Sequence, residues 1–462
     1  MSDPIKNSRI DPASFRDPSG FVFVRDGTVY RQVNKACQKD FDLLLGSGLY
    51  GKLVAARLLI PHVDAGLDAA QTADAYKVIK PDQVPFVSYP YEWCFGQLKD
   101  AASVTLQIQQ MALEMGMSLK DASAYNIQFV NGRPVMIDTL SFEKYREGSP
   151  WVAYRQFCQH FLAPLALMSL TDIRLGQLLR VYIDGIPLDL ASELLPFRTR
   201  FSFSLLTHIR LHARSQKRYA DTSIKTISRK MSKRSLLGLI DNLQSAVRSL
   251  DWQPEDTTWG DYYEHTNYTP AALQHKKALV SQYLERLNPS RVWDLGANTG
   301  LYSRLAADRG IPTVAFDVDP AAVEKNYREC VKNKDTSLLP LLLDLTNPSP
   351  DLGWENTERK AALKRSTDDT VMALALVHHL AIANNLPLPM VAHFFARICR
   401  SLIIEFVPKS DSQTQRLLAS REDIFPDYAR EGFEKAFADV FQITDSQNIK
   451  ESERTMYLME RK

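Results

Sequence analysis

Arg291-Val292-Trp293-Asp294-Leu295-Gly296-Ala297-Asn298-Thr299-Gly300-Leu301-Tyr302 is the stretch that decides how this chain folds. An apolar, β-prone run ends at an acid, a glycine turn follows, and a helical pattern begins beyond Gly300. Glycines at 296 and 300 let the backbone turn tightly and approach a ligand, and the start of the next helix leaves N–H groups without helical partners. Seventeen residues after Gly300, a second apolar run, Thr313-Val314-Ala315-Phe316, ends at Asp317. An acid at the end of the second strand is placed to hold both hydroxyls of a ribose. Asp319 is less well placed, because it lies past the strand end beside Pro320.

A dinucleotide loop reads G-x-G-x-x-G, with its third glycine opening a helix toward a pyrophosphate. This loop reads G-x-x-x-G and is preceded by Asp294. A carboxylate there repels a pyrophosphate and suits a cationic ligand. In this Asp-x-Gly-x-x-x-Gly form the chain resembles the class I S-adenosylmethionine-dependent methyltransferases. That resemblance implies an α/β fold, a doubly wound, Rossmann-like sheet, with S-adenosylmethionine as cofactor. It places the methionyl part of the cofactor against Asp294, Gly296, Ala297, Asn298 and Gly300, the ribose on Asp317, and the adenine beside Asp344.

The rest of the C-terminal half keeps the family's order. Leu339–Leu343 reads as a third strand before Asp344, Val371–Leu376 as a fourth, Leu402–Val407 as a fifth, and Thr455–Met459 as a last, antiparallel strand. The resemblance covers about residues 259 to 462. In the family the pocket mouth lies at the end of the fourth strand, which here reads Val377-His378-His379-Leu380. A histidine near neutral pKa takes a proton from a hydroxyl or amine, so His378 and His379 are the candidate general bases, against packing or loop capping as the plainer roles. Glu405, Lys409 and Asp411 follow the fifth strand and read as lining the same mouth or, more plainly, as surface loop residues. Trp259, Tyr262, Tyr263 and Tyr268 read as helix packing or as a lid over the cofactor. The chain lacks an Asn/Asp-Pro-Pro-Tyr/Phe motif after the fourth strand, which argues against nucleobase and glutamine amides as acceptors.

The N-terminal half has a different texture. Asp26-Gly27 and Asn131-Gly132 each separate two β-prone runs, the strongest short hairpin signal. Asp121 and Asn126 have the D-x-x-x-x-N spacing of a kinase catalytic loop, and Asp138 follows the second hairpin. Together these resemble a kinase-like α+β fold, with Asp121 as base and Asn126 and Asp138 as metal ligands. The Gly20–Val33 hairpin would supply its first two strands, and Arg31 stands near the place of a nucleotide-binding lysine. Leu119-Lys120 before the base, Thr139-Leu140 after Asp138 and the lack of a glycine-rich phosphate loop depart from that pattern. They favour a worn scaffold that grips the acceptor, or an unrelated α+β domain, over a phosphotransferase.

Three regions follow: 1–150 as the α+β, possibly kinase-like domain, 151–250 as a helical extension, and 251–462 as the methyltransferase domain. The extension carries the one strong charge asymmetry. Between Arg198 and Arg234 stand eleven Lys and Arg against a single acid, Asp221. Such a tract reads either as a solvated linker or as a site for an anionic partner. It lacks the interleaved aromatics of a single-strand platform. For the whole chain, 56 Lys+Arg against 54 Asp+Glu argues against a surface built for nucleic acid.

Five scattered cysteines without a CxxC or Cys/His cluster indicate neither a disulfide frame nor a metal site. With no apolar leader and no run near the roughly 20 residues of a span, the expectation is a cytoplasmic protein. The joining of the two halves, carried by Asn126-Ile127-Gln128-Phe129 with Asp138 and by Leu376-Val377-His378-His379 with Glu405-Phe406-Val407-Pro408, resembles bacterial host-specificity nodulation proteins. That resemblance implies a bacterial glycan or cell-surface precursor as acceptor, and the reading of the whole chain is methyl transfer to a small-molecule or glycan acceptor. A bifunctional kinase–methyltransferase and a non-catalytic, cofactor-binding scaffold are the competing functions.

Overall fold

The two Asx-Gly dipeptides make the turns that the sequence leads one to expect. A computed structural model describes residues 8–211, 231–254, 268–365, 369–419 and 422–462. In it Asp26 and Gly27, and likewise Asn131 and Gly132, all adopt positive φ, the backbone that joins two strands with a right-handed twist. Arg25 therefore pairs with Thr28, and Val130 with Arg133.

The chain divides into two units, one reaching Gln253 and including Asp351–Lys360, the other made of Pro254–Pro350 and Ala361–Lys462. In the first unit, β1 (Ser8–Ile10), β2 (Gly20–Arg25), β3 (Thr28–Asn34), β4 (His62–Asp64) and β5 (Ala75–Pro81) form an antiparallel sheet in the order β1-β2-β3-β5-β4. The Gly20–Val33 hairpin thus supplies the second and third strands rather than the first two, because Ser8–Ile10 adds ahead of it at the edge. The helix Phe95–Glu114 buries Leu98, Ala101, Ala102, Thr105, Leu106, Gln109, Ala112 and Leu113, a stripe at helical spacing. Beyond it come β6 (Met117–Leu119), the hairpin β7 (Ile127–Val130) and β8 (Arg133–Met136), and β9 (Phe142–Lys144), which pairs with β6. The described part of 151–250 is mostly helical and belongs to this same unit; its last helix, Lys233–Ser249, packs on Phe95–Glu114.

The second unit is an α/β fold around seven strands: β10 (Val292–Leu295), β11 (Thr313–Asp317), β12 (Leu338–Leu342), β13 (Thr370–Ala373), β14 (Ser401–Phe406), β15 (Phe441–Asn448) and β16 (Thr455–Arg461). Their order is β12-β11-β10-β13-β14-β16-β15. The first five run parallel, and β16 enters antiparallel between β14 and β15. Every residue of β10, β13 and β14 is buried, as a sheet covered on both faces requires. The fourth strand stops at Ala373 rather than Leu376, since the chain turns off through Ala375 at a φ of 51°. β15 escapes the sequence reading: Gln442, Thr444, Asp445, Ser446 and Gln447 give it the polar texture of a loop, as an edge strand tolerates.

Candidate functional site

Strand order reverses between the neighbours β10 and β13, and there the loops from their C-terminal ends part and leave a crevice. A cavity of about 350 Å³ lies at this point. It gathers Asp294, Gly296, Ala297 and Asn298 from the end of β10, Asp317 from β11, Asp344 and Thr346 from beyond β12, and Leu374, Leu376 and His379 from beyond β13. The glycine loop is pinned to the next strand, since the N–H groups of Gly296 and Ala297 both donate to the Phe316 carbonyl at 2.9 Å. Gly296 holds a φ of 76°, and a Cβ there would stand 3.3 Å from Leu376 Cδ1.

Asp317 organises the same loop. Its Oδ2 accepts from Asn298 N at 2.7 Å and its Oδ1 from Asp319 N at 2.9 Å. Each carboxylate oxygen has two lone pairs, so the group keeps acceptor capacity toward the cavity. Asp319 instead caps the helix Pro320–Asn333, accepting from Ala321 N at 2.9 Å. Asp294 accepts from Ser303 Oγ at 2.6 Å. Burial pushes its carboxyl up to about 7, against the opposing pull of Ser303 and Lys276, and pushes Asp317 up to about 6. The cavity therefore holds two carboxyls that release their protons close to neutrality and gain from a cationic ligand.

Gly300 does not line the cavity. It opens the turn into the helix Ser303–Ala307 at a φ of 79°, where a Cβ would meet the side chains of Asn326 and Arg304 at 2.5–2.7 Å. Its glycine is set by packing. His378 is also absent from the lining: it is buried, and its Nδ1 has no hydrogen-bond partner among the described residues. The turn after β13 sends this ring inward and the next one, His379, to the cavity. Burial and the neighbouring positive charges hold His378 well below the ordinary histidine range and bring His379 down to about 4, so both rings are neutral at pH 7.

A cation missed in the sequence stands at the same wall. Lys276, from the helix Pro270–Leu287, is the only Lys or Arg among the described residues lining the cavity. Its ammonium bonds Glu405 Oε2 at 2.7 Å and Tyr268 Oη at 3.3 Å, and lies 4.6 Å from the centre of the Tyr302 ring. Glu405 is not a loop residue but a fully buried member of β14, and Tyr268 Oη donates to its other oxygen. Arg454 joins them, giving Nη1 to Tyr268 Oη at 2.7 Å and a fork to Asp411 at 2.7 and 3.1 Å. Burial works to raise Glu405, but Lys276 and Arg454 hold it below the usual carboxylate range. Two cations and two anions thus share one buried cluster, and Tyr268 is tied into it. Trp259, Tyr262 and Tyr263 lie outside the described residues.

In the first unit Asp138 and Asn126 come together. Asp138 accepts from Leu140 N at 2.8 Å and Ser141 Oγ at 2.9 Å, and Asn126 Nδ2 donates to the same Ser141 Oγ at 3.2 Å. Arg31 from β3 forms an ion pair with Asp138. Asp121 accepts from Ser123 N at 2.8 Å, the capped turn of its plainer reading.

No protein-family model matches the chain. It is 36% identical over 456 residues to nodulation protein NoeA of Rhizobium meliloti (strain 1021), covering 97% of this chain and 95% of that protein. The chain belongs to the NoeA family. Solved structures similar to this NoeA relative align with 41–46% of it. One is magnesium protoporphyrin IX methyltransferase (ChlM) from Synechocystis PCC 6803 with bound SAH, at 18% identity, a TM-score of 0.30 and 84% of that chain. Another is the bifunctional kinase-methyltransferase WbdD, at 14% identity, a TM-score of 0.30 and 45% of that chain. No helix among the described residues of this NoeA-family chain is long and apolar enough to cross a membrane.

Proposed function

We propose that the second unit binds S-adenosylmethionine at the strand-order reversal and directs methyl transfer to an oxygen or nitrogen of a small molecule or saccharide. The observation that carries this reading is the cavity itself, which an acid-preceded glycine loop, the strand-end Asp317 and Lys276 line together. The donor set fits the cofactor group by group. Asp317 takes the ribose hydroxyls on its remaining lone pairs, Asp344 borders the adenine, and Asp294 with Gly296–Asn298 faces the cationic methionyl end. Lys276 takes the methionyl carboxylate. When bound, S-adenosylmethionine supplies an electrophilic methyl group. The chain's part is to align the acceptor with it, exclude water, and receive the acceptor's proton, for which neutral His379 is the cavity-lining candidate.

The raised carboxyls fix the sign of a pH effect. Asp294 and Asp317 ionise near 7 and 6, so a cationic ligand meets a more anionic cavity as pH rises through that interval. Titration calorimetry is expected to show affinity for S-adenosylmethionine rising about tenfold between pH 5.5 and 8. S-adenosylhomocysteine, which lacks the sulfonium charge, gains less. Stability of the ligand-free chain runs the other way. Between pH 4 and 7 the folded state keeps protons that the unfolded chain has shed, so these two groups lower stability as pH rises. Equal, flat affinity profiles for both ligands would contradict the assignment.

For the first unit the Arg31–Asp138 ion pair favours an acceptor-gripping module over a phosphotransferase, because the carboxylate offered to a metal is already neutralised. Incubating the protein with methyl-labelled S-adenosylmethionine and size-fractionated cell extract is expected to label a small-molecule or glycan fraction, to the same extent with and without Mg-ATP. Label that requires Mg-ATP would restore the kinase–methyltransferase. No label, from protein that binds the cofactor, would leave the scaffold.

A further inference from the structure

The basic segment begins with an aromatic surface. In Pro196-Phe197-Arg198-Thr199-Arg200-Phe201-Ser202-Phe203 three phenyl side chains stand in solvent, with Phe197 64%, Phe201 83% and Phe203 72% exposed. The backbone beneath them is braced. Thr199 and Leu205 are buried, and Arg210 Nη2 donates to the Leu195 carbonyl at 3.1 Å, the Pro196 carbonyl at 3.3 Å and Thr199 Oγ1 at 2.8 Å. Arg210 is therefore a strut, not part of the charged face, and the rings are presented on a fixed turn. The expectation that this region lacks aromatics fails at its N-terminal edge, where phenylalanine and arginine interleave.

We infer that Phe197–Phe203, with the two arginines between its rings, docks the protein on an anionic lipid surface. Three neighbouring phenyl groups left in water are unusual for a soluble surface and find burial at the headgroup–acyl boundary. Arg198 and Arg200, both exposed, stand between them with no acid from Pro196 to Arg210, and offer their charge to lipid phosphates. RNA is the weaker partner, because a stacking platform needs open ring faces. Here the Arg200 guanidinium already lies 4.4 Å from the centre of the Phe197 ring, and Phe201 meets that ring edge-on at 6.1 Å.

The test is flotation of the full chain with phosphatidylglycerol vesicles and with phosphatidylcholine vesicles. Wild type should float with the first and not the second, and added salt should release it. Two double variants, Phe201→Ser with Phe203→Ser and Arg198→Gln with Arg200→Gln, should each lose about tenfold in partitioning at an unchanged thermal midpoint. The substituted side chains are exposed, so folding is expected to survive in both. Undiminished flotation of either variant, equal flotation with phosphatidylcholine, or binding of single-stranded RNA without flotation would each overturn the inference. None of these readouts depends on the methyltransferase assignment.

Discussion

Asp317→Ala is expected to weaken binding of S-adenosylhomocysteine at least about 100-fold. Two hydrogen bonds from ribose hydroxyls to a half-buried carboxylate are each worth about 1.5–3 kcal/mol, and about 1.4 kcal/mol is tenfold. The substitution also removes the acceptor of Asn298 N and Asp319 N, so the glycine loop loses a tie as the ligand loses its anchor. Asp317→Asn retains one of the two loop ties: its amide oxygen accepts from one N–H, while its amide nitrogen, a donor, meets the other. The charge and one acceptor toward the ribose are also gone, so affinity should fall about tenfold, with a lowered thermal midpoint. Calorimetry with S-adenosylhomocysteine checks both variants. Wild-type affinity in Asp317→Ala would mean that the nucleoside is held elsewhere.

Lys276→Met is expected to destabilise the protein by about 3–5 kcal/mol, the cost of leaving a buried charge without its partner. Lys276, Arg454, Glu405 and Asp411 balance as two cations and two anions, so removing the lysine leaves a net negative charge in a buried cluster. Glu405→Gln should destabilise comparably by leaving a surplus cation. Combining the two leaves the forked Arg454–Asp411 pair in balance. The double variant should therefore be more stable than either single variant, which independent, additive roles would not produce. Denaturant unfolding measures this directly. The double variant also tests the ligand role, because decarboxylated S-adenosylmethionine lacks only the group assigned to Lys276. Wild type should prefer the complete cofactor about tenfold or more, and the double variant should lose that preference. A preference that survives would remove Lys276 from the ligand while leaving its structural role intact.

Most of the second unit was legible because its signals are local. The strands β10, β11, β13 and β14, buried apart from Asp317 at the end of β11, appear as short apolar runs, and the cavity-lining positions 294, 296–298, 317 and 344 follow strand ends at fixed offsets. Asp-Gly and Asn-Gly announced both hairpins, since they are among the few dipeptides at ease with two successive positive φ values. What escaped was set by distant neighbours. Glu405 and Lys276 are 129 positions apart, and nothing in Leu402–Val407 reveals that its one acid is buried against a lysine from another helix. His378 and His379 are equivalent in sequence, and a single turn after Ala373 decides which ring reaches the cavity. Asp351–Lys360 lies between two strands of one unit yet belongs to the other, where Arg16 forks onto Glu358 at 2.7 and 2.8 Å.

By itself, the sequence determined the α/β architecture of the C-terminal half, the glycine loop, the strand-end acids and both hairpin turns. These follow from backbone preference and apolar periodicity, properties of a few adjacent residues. Only the tertiary structure decided which titratable groups share the cavity, which carboxyls burial pushes toward neutrality, and which lysine stands among them. It also decided that Arg31 meets Asp138 and that three phenylalanines of the basic segment face water. Those outcomes depend on desolvation and on pairings between distant parts of the chain, and both are fixed only when the elements pack.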